Sequence, residues 1–419
     1  FARTTLIKVV STRRALAKIS NIFYDYPSQK IKIAGVTGTK GKTTITYFLQ
    51  SVFRKAGVKS GRLSTINYDL GGEIIPALTT TPESVDLQKF LRKMIDNQVK
   101  YVFMEVSSHS LVLHRVEGVE FGWAIFTNLS PEHLDFHKKM EDYLRAKLVL
   151  FEMMLPQNKA LINVDDDNSE KIIRKTSCQV ITYGIRKQAD FRASNLRMEK
   201  RKVFFHVKIN GEKEEFEIKI PGVHNVYNAL AAIGVATEEG ISSETIRKGL
   251  QDIEKIPGRL ELIENKANLN IYVDYAHTPS SLEKAISTLK NLTSGKVIVV
   301  FGCGGDRDPY KRPAMGRIAF KMADFAVVTS DNPRSESPEA IILDIERGML
   351  EEGAKKGKDY ISFVDRKEAI EYALSNLRCG DTLLVAGKGH ESIQIFKDKV
   401  VPFDDRVVIC QLLRKTDLL

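Results

Sequence analysis

Two hydrophobic patterns follow one another near the start of the chain. Residues 30–38, KIKIAGVTG, form a β-branched run that ends in glycine, which predicts a buried strand. Beyond the glycines, apolar positions recur at helical spacing on one face. They are Ile45, Phe48, Leu49, Val52, Phe53 and Ala56. The pattern therefore predicts a strand, a tight glycine loop and a helix.

Six further apolar runs each end in a polar motif. They read YVFMEVSSHS, WAIFTNLSPEHLD, NIYVDYAHTP, VIVVFGCGGDRD, FAVVTSDNPR and TLLVAGKGHE. Repetition of strand, motif and helix predicts an α/β fold with parallel sheets. Ligands of such sheets bind beyond the carboxyl ends of the strands, so these motifs are candidates for a binding site.

Two other stretches bear on the organisation of the chain. Residues 203–220 alternate between apolar and polar on either side of Asn210 and Gly211, which predicts a β-hairpin with a tight turn. Residues 255–261, KIPGRLE, are the best candidate for a linker and place a domain boundary near Pro257.

Composition narrows the class of protein. A chain of 419 residues is too long for one ordinary core, which predicts two or three domains. Apolar residues make up 43% and charged residues 28%, as in a folded globular protein. No apolar run approaches the ~18 residues that span a bilayer. The four cysteines form no C-x-x-C pair, which favours a reducing compartment over a structural zinc site or disulfides.

The net charge of +10 raises the question of a nucleic-acid partner. Lys and Arg are spread among acidic residues, without the aromatic interleaving of an RNA-binding sheet. An enzyme that handles several anionic small molecules explains the charge equally well, and we favour that interpretation.

Residues 1–20 contain five basic residues and no acidic one. This suits a transit peptide or a basic helix, and we favour the helix.

The glycine loop GVTGTKGKTT, residues 35–44, does not fit the common phosphate-binding pattern G-x-x-x-x-G-K-[ST], which needs glycine where Val36 stands. The shorter loop still opens a predicted helix. N–H groups at that helix N-terminus and the Lys42 ammonium would hold phosphate oxygens, and Thr43 would offer its hydroxyl to Mg²⁺. A simple glycine turn is the alternative, but the G-K-T-T start of the helix favours a nucleotide site.

Glu105 and His133 are candidate metal ligands. Glu105 ends a predicted apolar strand, a position where a carboxylate can hold Mg²⁺. The alternative is an ordinary surface glutamate, which the apolar run before it disfavours. His133 and His137 have the spacing of a zinc-protease helix, but Leu134 stands where H-E-x-x-H requires glutamate, so we reject that class. By itself, His133 is explained as well by an ordinary loop residue.

Taken together, the motifs resemble those of the Mur ligase family, and most closely its MurE branch. They cover nearly the whole chain and follow the family's order: TGTKGKTT, TTTPESVDLQ, MEVSSHSLVLHR, FTNLSPEHLDFHKKMEDYLRAK, HNVYNALAA, PGRLE, VDYAHTP, FGCGGDRDPYKRP, TSDNPRSE and AGKGHE. The resemblance implies a central P-loop ATPase domain with a parallel sheet over residues 31–257. It also implies a C-terminal Rossmann-like α/β domain, which binds the amino acid, over residues 258–419.

The resemblance also implies a reaction. MurE-type enzymes use ATP to phosphorylate the free carboxylate of UDP-N-acetylmuramoyl-L-alanyl-D-glutamate, and the amine of meso-diaminopimelate then attacks the acyl phosphate. This is a step of peptidoglycan and cell wall synthesis, which bears on cell shape and division. Lys42 would hold the β- and γ-phosphates. Thr43 and Glu105 would bind one Mg²⁺, and His133 a second. Lys147 matches the family's carbamylated lysine, an anionic metal ligand; an ordinary helix-surface lysine is the alternative.

Further site residues follow from the same resemblance. ATP would be bound by Gly38, Thr39, Lys40, Gly41, Lys42, Thr43, Thr44, Asn228, Arg259 and Asp274. The muramoyl dipeptide would contact Thr80, Thr81, Ser107 and Arg115. The amino-acid acceptor would contact Arg307, Asp331, Asn332, Arg334, Gly387 and Glu391. The sequence D-N-P-R favours meso-diaminopimelate over lysine, because a guanidinium pairs with the distal carboxylate.

The chain departs from the family pattern in places. Lys40 stands where asparagine is commoner, and Glu132 stands where aspartate is expected. The family's uridine-binding N-terminal domain is normally much longer than the 34 residues that precede Gly35. We therefore interpret residues 1–30 as a remnant of that domain.

Three functions remain open. The chain is a MurE-type ligase, another amide ligase of the pseudomurein, cyanophycin or folylpolyglutamate type, or a non-catalytic nucleotide-binding relative. The D-N-P-R and TTTPE motifs favour the MurE type, and the complete set of phosphate and metal candidates favours an active enzyme. We expect a cytoplasmic monomer that acts on small molecules, without a nucleic-acid or membrane partner.

Overall fold

The computed structural model describes residues 7–199 and 201–415. The first six residues of the predicted N-terminal remnant lie outside this part of the chain. The described residues form two compact units, the first of 7–131, 137–198 and 202–254 and the second of 132–136, 199, 201 and 255–415. None of the helices in the described residues has the length and apolar character needed to cross a membrane.

Up to residue 254 the chain forms strands with helices interspersed among them. The strands are β1 Lys32–Thr37, β2 Ser60–Leu63, β3 Asn67–Asp69, β4 Ile74–Pro76, β5 Tyr101–Glu105, β6 Trp123–Phe126, β7 Lys159–Asn163, β8 Gln179–Gly184, β9 Phe191–Met198, β10 Val203–Ile209 and β11 Glu212–Ile218. The helices are α1 Thr12–Phe23, α2 Lys42–Lys55, α3 Ser84–Asp96, α4 Ser108–Val112, α5 Leu134–His137, α6 Met140–Glu152, α7 Ser169–Ile173, α8 Val223–Glu238 and α9 Ser243–Gln251. A short 3₁₀ helix spans Pro27–Gln29.

The first unit contains one sheet of eleven strands in the order β11-β10-β9-β8-β7-β6-β1-β5-β2-β3-β4. Its seven inner strands, from β9 to β2, run parallel, and antiparallel strands extend both edges. Strand β1 lies between β5 and β6. Because parallel strands share one carboxyl edge, the loops after these three strands meet at the middle of the sheet.

The predicted strand, glycine loop and helix are confirmed as β1, residues 38–41 and α2. Ile45, Phe48, Leu49, Val52 and Phe53 are all buried on one face of the helix. The prediction was wrong only for Ala56, which caps the helix after Lys55 and is half-buried.

The predicted hairpin and basic helix are also confirmed. Strands β10 and β11 pair around Asn210 and Gly211, whose φ angles of 52° and 90° suit the tight turn. The sequence did not indicate that β9 joins this hairpin to the large sheet. Of the five basic residues near the start, Arg13, Arg14 and Lys18 belong to α1, Lys8 precedes it, and Arg3 lies outside the described residues.

The second unit holds a sheet in the order β12-β13-β17-β14-β15-β16, which is parallel except for β12. Its strands, with a separate β18–β19 pair, are β12 Glu261–Leu262, β13 Asn270–Asp274, β14 Val297–Phe301, β15 Phe325–Val328, β16 Tyr360–Ser362, β17 Thr382–Ala386, β18 Ile393–Ile395 and β19 Val400–Pro402. Its helices are α10 Pro279–Lys290, α11 Lys311–Met322, α12 Pro338–Leu350, α13 Arg366–Ser375 and α14 Asp405–Lys415.

Helices cover both faces of this second sheet. Along β14, Val299 and Phe301 pack with residues of α10, α11 and α12, whereas Ile298 and Val300 pack with residues of α13 and α14. A strand buried on both faces reads as a continuous apolar run, which explains the VIVVF sequence of β14. The α/β fold class is therefore confirmed.

The stretch 255–261 is closely packed within the second unit. Gly258 has a φ of 65°, and a Cβ atom there would lie 2.2 Å from the backbone nitrogen of His390. The Gly258 N–H donates to Glu261 Oε2 at 2.8 Å. The sequence predicted a linker here, and the structure shows that its glycine is fixed by close neighbours, so only glycine fits at this position.

Candidate active site

Two glycines shape the loop between β1 and α2, which we call the phosphate loop (residues 38–43). Gly38 has a φ of 144°, and a Cβ atom on it would lie 1.9 Å from Thr127 Oγ1. Gly41 has a φ of 92°, and its Cβ would lie 2.4 Å from Asn228 Oδ1. Both residues therefore combine a left-handed backbone with a close neighbour, which only glycine tolerates.

The end of β6 fixes the phosphate loop through backbone atoms. The Thr39 N–H donates to Asn128 O at 2.8 Å, and the Lys40 N–H donates to Asn128 Oδ1 at 3.0 Å. The Lys40 carbonyl accepts from Thr127 Oγ1 at 2.7 Å and from Asn128 Nδ2 at 3.1 Å. Thr127 and Asn128 were missed as site residues, although the motif FTNLS contains both.

Lys42 is the first residue of α2 and reaches back over the loop. Its Nζ donates to Gly38 O and Thr39 O, each at 2.9 Å. The helix has Gly41 as its N-cap, and within the described residues no side chain caps it. N–H groups of a helix start and a nearby ammonium are a combination that suits phosphate oxygens.

Thr43 and Glu105 are brought together at the carboxyl end of β5. Thr43 Oγ1 donates to Glu105 Oε1 at 2.8 Å, and the carboxylate also accepts from the Thr65 N–H at 2.9 Å. Glu105 is 1% exposed, so the surface interpretation of this glutamate is wrong. Thr65 was missed, because nothing in its sequence context marks it as a neighbour of β5.

The donor set fits Mg²⁺ bound together with a phosphate. A carboxylate and a hydroxyl are hard oxygen ligands, and Mg²⁺ in phosphate sites uses one or two carboxylates plus substrate oxygens and water. Among the described residues, no group of three or more His, Cys, Asp or Glu side chains could hold a metal alone. The carboxylate and the hydroxyl present suit an ion that also takes phosphate oxygens as ligands.

Lys147 is buried inside α6, with 1% of its surface exposed. Its Nζ donates to Gly38 O at 2.9 Å and lies 4.4 Å from the centroid of the Tyr143 ring. Lys42 and Lys147 thus donate to the same carbonyl oxygen of the phosphate loop. The alternative of an ordinary helix-surface lysine is wrong.

The four residues predicted to contact the dipeptide lie near Glu105. Thr81 Oγ1 donates to the Glu105 carbonyl at 2.8 Å and accepts from the Ser107 N–H at 3.1 Å. Arg115 Nη1 donates to the Thr81 carbonyl at 3.0 Å. Thr80 Oγ1 accepts from the Thr65 hydroxyl at 3.2 Å. The four therefore form one polar cluster beside the metal candidates.

The predicted ATP ligands fall into two groups. Thr44 and Asn228 lie in the first unit, where both are buried and Asn228 is held by Asn225 through a 3.0 Å bond. In the second unit, Asp274 Oδ2 accepts from the N–H of Leu260 at 2.7 Å, so Asp274 lies close to Arg259 in space.

The metal candidate His133 has a φ of 59° and belongs to the second unit, and its role as a metal ligand stays a prediction.

Residues 331–334, which we call the acceptor loop, follow β15. Asp331 and Asn332 are buried, and Asn332 Nδ2 donates to Glu391 Oε2 at 2.8 Å. A Cβ atom on Gly387, whose φ is 116°, would lie 3.2 Å from Asp331 Oδ2. The structure thus brings Asp331, Asn332, Gly387 and Glu391 together.

Two arginines complete the predicted acceptor site. Arg334 has a φ of 54°, and its Nη1 donates to Gly305 O at 2.8 Å. Burial, and then the nearby Arg307 charge, lower the pKa of the Arg334 guanidinium. A cation that is half-buried beside another cation favours a carboxylate ligand.

Two fully buried cations in the second unit were missed. Arg366 forms a bidentate pair with Asp405, with both bonds at 2.8 Å, and donates to Ser330 O and Ala386 O. Burial would lower the pKa of Arg366, but the Asp405 carboxylate outweighs this and raises it. Lys388, within the motif AGKGHE, is the other buried cation. Lysine or arginine in a polar sequence gives no signal of burial.

Two family models match the chain, the Mur ligase middle domain over residues 36–236 and the Mur ligase, glutamate ligase domain over residues 258–389. The chain belongs to the Mur ligase family. It is therefore an ATP-dependent ligase, and the resemblance seen in its motifs is confirmed.

This Mur ligase is similar to curated proteins named UDP-N-acetylmuramoyl-L-alanyl-D-glutamate–2,6-diaminopimelate ligase. The one from Clostridium botulinum is 46% identical over 413 residues, with 98% of this chain and 84% of that protein covered. The one from Geobacillus kaustophilus is 43% identical over 409 residues, with 96% and 83% covered.

Solved structures show the same fold. A structure of a UDP-N-acetylmuramoyl-L-alanyl-D-glutamate–2,6-diaminopimelate ligase has a TM-score of 0.68 and 29% identity, and the match covers 99% of this Mur ligase and 86% of that chain. A folylpolyglutamate synthase from Mycobacterium tuberculosis has a TM-score of 0.73 at 15% identity, with 90% and 92% covered. At that identity the second likeness concerns the fold alone.

Proposed function

We propose that this Mur ligase joins meso-diaminopimelate to UDP-N-acetylmuramoyl-L-alanyl-D-glutamate at the expense of ATP. The observation that carries the proposal is the acceptor loop, where Arg334 offers a half-buried guanidinium beside the Asn332–Glu391 pair. A cation and an anion side by side suit an acceptor end that carries both a carboxylate and an ammonium. The relatives at 43–46% identity are named for this amino acid.

The first step is a phosphoryl transfer assisted by the phosphate loop. A carboxylate oxygen of the dipeptide attacks the γ-phosphorus of ATP, the bond to the β-phosphate oxygen breaks, and ADP leaves. Loop N–H groups and the Lys42 ammonium neutralise charge on the transferred group. Thr43 and Glu105 would hold a Mg²⁺ ion, which when bound would add charge neutralisation at the phosphate oxygens.

The second step forms the amide bond. The acceptor's amine attacks the acyl phosphate carbon, loses a proton, and inorganic phosphate leaves from the tetrahedral intermediate. Arg334 would hold the distal carboxylate of the acceptor, and Glu391 would accept from its distal ammonium. These contacts lie away from the reacting amine, so they serve orientation and selection.

Lys147 enters the proposal as a carbamate. The neutral amine adds to CO₂, an N–C bond forms, and loss of a proton leaves an anionic carboxylate on the side chain. The burial of Lys147 against the phosphate loop supports this, since an anion there serves Mg²⁺ better than a second ammonium would. His133 is proposed as a ligand of a second Mg²⁺.

The proposal is tested by phosphate release from ATP in the presence of UDP-N-acetylmuramoyl-L-alanyl-D-glutamate. Release that depends on meso-diaminopimelate, with a ligated product seen by mass spectrometry, is the expected result. L-Lysine serves as the matched acceptor without the distal carboxylate, and a pteroyl-glutamate serves as the folate-type substrate. Ligation of glutamate to the pteroyl substrate, with none of diaminopimelate, would overturn the proposal. The cytoplasmic location and the monomeric state stay predictions.

A further inference from the structure

Lys388 is a buried lysine that the two chemical steps above do not use. Its side chain has no exposed surface. Its Nζ donates to Ile393 O at 2.6 Å, to Asn332 Oδ1 at 3.1 Å and to Glu391 Oε2 at 3.2 Å. Asp331 Oδ1 lies 3.9 Å away. One ammonium therefore faces an amide, a carbonyl and two carboxylates.

These contacts fix which way the Asn332 amide points. Its Oδ1 accepts from Lys388 Nζ and from the Ile395 N–H at 3.1 Å, while its Nδ2 donates to Glu391. A flipped amide would set its NH₂ group against the Lys388 ammonium and its oxygen against the Glu391 carboxylate. Both contacts would then be repulsive, so Lys388 and Glu391 permit one orientation.

The same ammonium balances the charge of the site. Asp331 and Glu391 both approach Lys388, and one Asp331 oxygen, Oδ1, is buried with no hydrogen-bond partner among the described residues. Without a cation between them, two partly buried carboxylates would repel each other. Lys388 also holds the start of β18, whose Ile395 carbonyl accepts from the Arg334 N–H at 3.0 Å.

We infer that Lys388 is a positioning residue that sets the acceptor loop, acting through Asn332 and Glu391. The inference rests on the proposed function in so far as it concerns acceptor selection. It adds that the acceptor site depends on a cation that does not touch the acceptor, and that this cation controls acceptor binding rather than the phosphoryl transfer.

Lys388→Met keeps the length of the side chain and removes its charge. We expect the KM for the acceptor to rise at least thirtyfold. The kcat should stay within about threefold of the parent value and the KM for ATP within about twofold, because the acceptor is bound more weakly by the same amount in the ground state and in the transition state. Lys356→Met is the control, because Lys356 pairs with Glu346 at 2.8 Å in the same unit on a half-exposed side chain. Equal effects of the two variants, or a loss confined to kcat, would overturn the inference.

A double-mutant cycle tests whether Lys388 acts through Asn332. Asn332→Ala alone should raise the acceptor KM. The acceptor KM of the variant with both substitutions should be no higher than that of the single variant with the higher KM. If the increase in acceptor KM of the double variant equals the product of the increases in the two single variants, Lys388 acts by a route other than Asn332, and the inference would fail.

The readout that separates this inference from the proposed function needs no acceptor. The Asn332 side-chain NH₂ signals can be observed by NMR in protein labelled with ¹⁵N-asparagine and assigned from their loss in Asn332→Asp. Their hydrogen exchange should accelerate at least tenfold in Lys388→Met and in Lys388→Gln, but not in Lys356→Met. Unchanged exchange overturns the inference even if the ligase reaction is confirmed, and accelerated exchange supports it whichever amino acid is accepted. Failure of both Lys388 variants to fold, while Lys356→Met folds, would also overturn it.

Discussion

The phosphate loop and the acceptor loop are each contacted by the side chain of a buried lysine, but the two loops are held in place differently. Residues 38–43 are shaped by two glycines and fixed by backbone bonds, and Lys42 and Lys147 both donate to the Gly38 carbonyl. Around residues 331–334 the backbone is held by side chains of both charges, with Lys388 between Asp331 and Glu391. In one loop the lysines contact a carbonyl oxygen, and in the other a lysine contacts two carboxylates.

This difference suggests a division of tasks. The Lys42 ammonium donates to carbonyl oxygens and can transfer those bonds to an incoming phosphate, so the phosphate loop suits chemistry on a ligand that brings several negative charges. The acceptor loop combines the Arg334 guanidinium with the Asn332–Glu391 pair, so it selects a ligand by matching a pattern of charges. Changes to the first should therefore affect rate, and changes to the second should affect selection.

The largest effect is expected from Lys42→Ala. Loss of this ammonium should lower kcat by about 10³-fold, at the upper end of what one preorganised donor contributes. Lys55→Ala on the same helix is the control, because Lys55 is exposed and pairs with Asp252 at 2.9 Å. Turnover is followed by phosphate release and folding by circular dichroism. Release at the parent rate by Lys42→Ala would refute the site.

Lys147→Ala should have the second-largest effect on activity. We expect activity to fall by at least about a hundredfold, which is the loss typical of removing one electrostatic group at the reacting phosphate. Added acetate or formate should restore part of the activity by occupying the position of the carbamate. Methylammonium should not. Rescue by methylammonium alone, or full activity without rescue, would contradict the carbamate.

Arg334→Ala should act on selection. We expect the parent enzyme to prefer meso-diaminopimelate to L-lysine by at least roughly a hundredfold in kcat/KM, because lysine leaves a half-buried guanidinium unpaired at a cost of about 1–3 kcal/mol. The variant should lose most of this preference. Arg347→Ala, on an exposed position of α12, should keep it. Equal use of both amino acids by the parent enzyme would refute the assignment.

Lys40→Asn should have the smallest effect. The loop holds Lys40 through its N–H and carbonyl groups, which the substitution leaves in place. The KM for ATP should change by less than about threefold, as expected for one partly exposed charge. A tenfold rise would show that the Lys40 side chain itself binds nucleotide, and the two loops would then differ less than the structure indicates.

The sequence allowed prediction of those parts of the fold that depend on local pattern. The 3.6-residue spacing of Ile45, Phe48 and Val52 identified α2, and alternation around Asn210 identified a hairpin, because each pattern reflects burial of one face. Glu105 was recognised because an apolar run ended in it. Lys42 and Thr43 were proposed as ligands from the same local order of strand, glycines and helix, whereas the other ATP ligands were implied by the family resemblance.

Features that depend on contacts distant in sequence could not be predicted. Lys388 lies between two glycines in a polar motif, and one of its hydrogen-bond partners, Asn332, lies 56 positions earlier. Asn128 supports the phosphate loop from 88 positions away. A single sequence contains no record of which distant residues become neighbours, so buried polar networks of this kind need a structure.

The Arg366–Asp405 pair makes the acceptor site depend on the last helix of the described chain. Asp405 opens α14, while Arg366 holds the carbonyls of Ser330 and Ala386, one residue before the acceptor loop and one before Gly387. A polypeptide that stops short of residue 405 would leave the Arg366 guanidinium buried without its carboxylate, which is strongly destabilising. During synthesis on the ribosome, amino-acid selection would then be established only after residue 405 has emerged, so chains terminated before that residue would not compete for the acceptor.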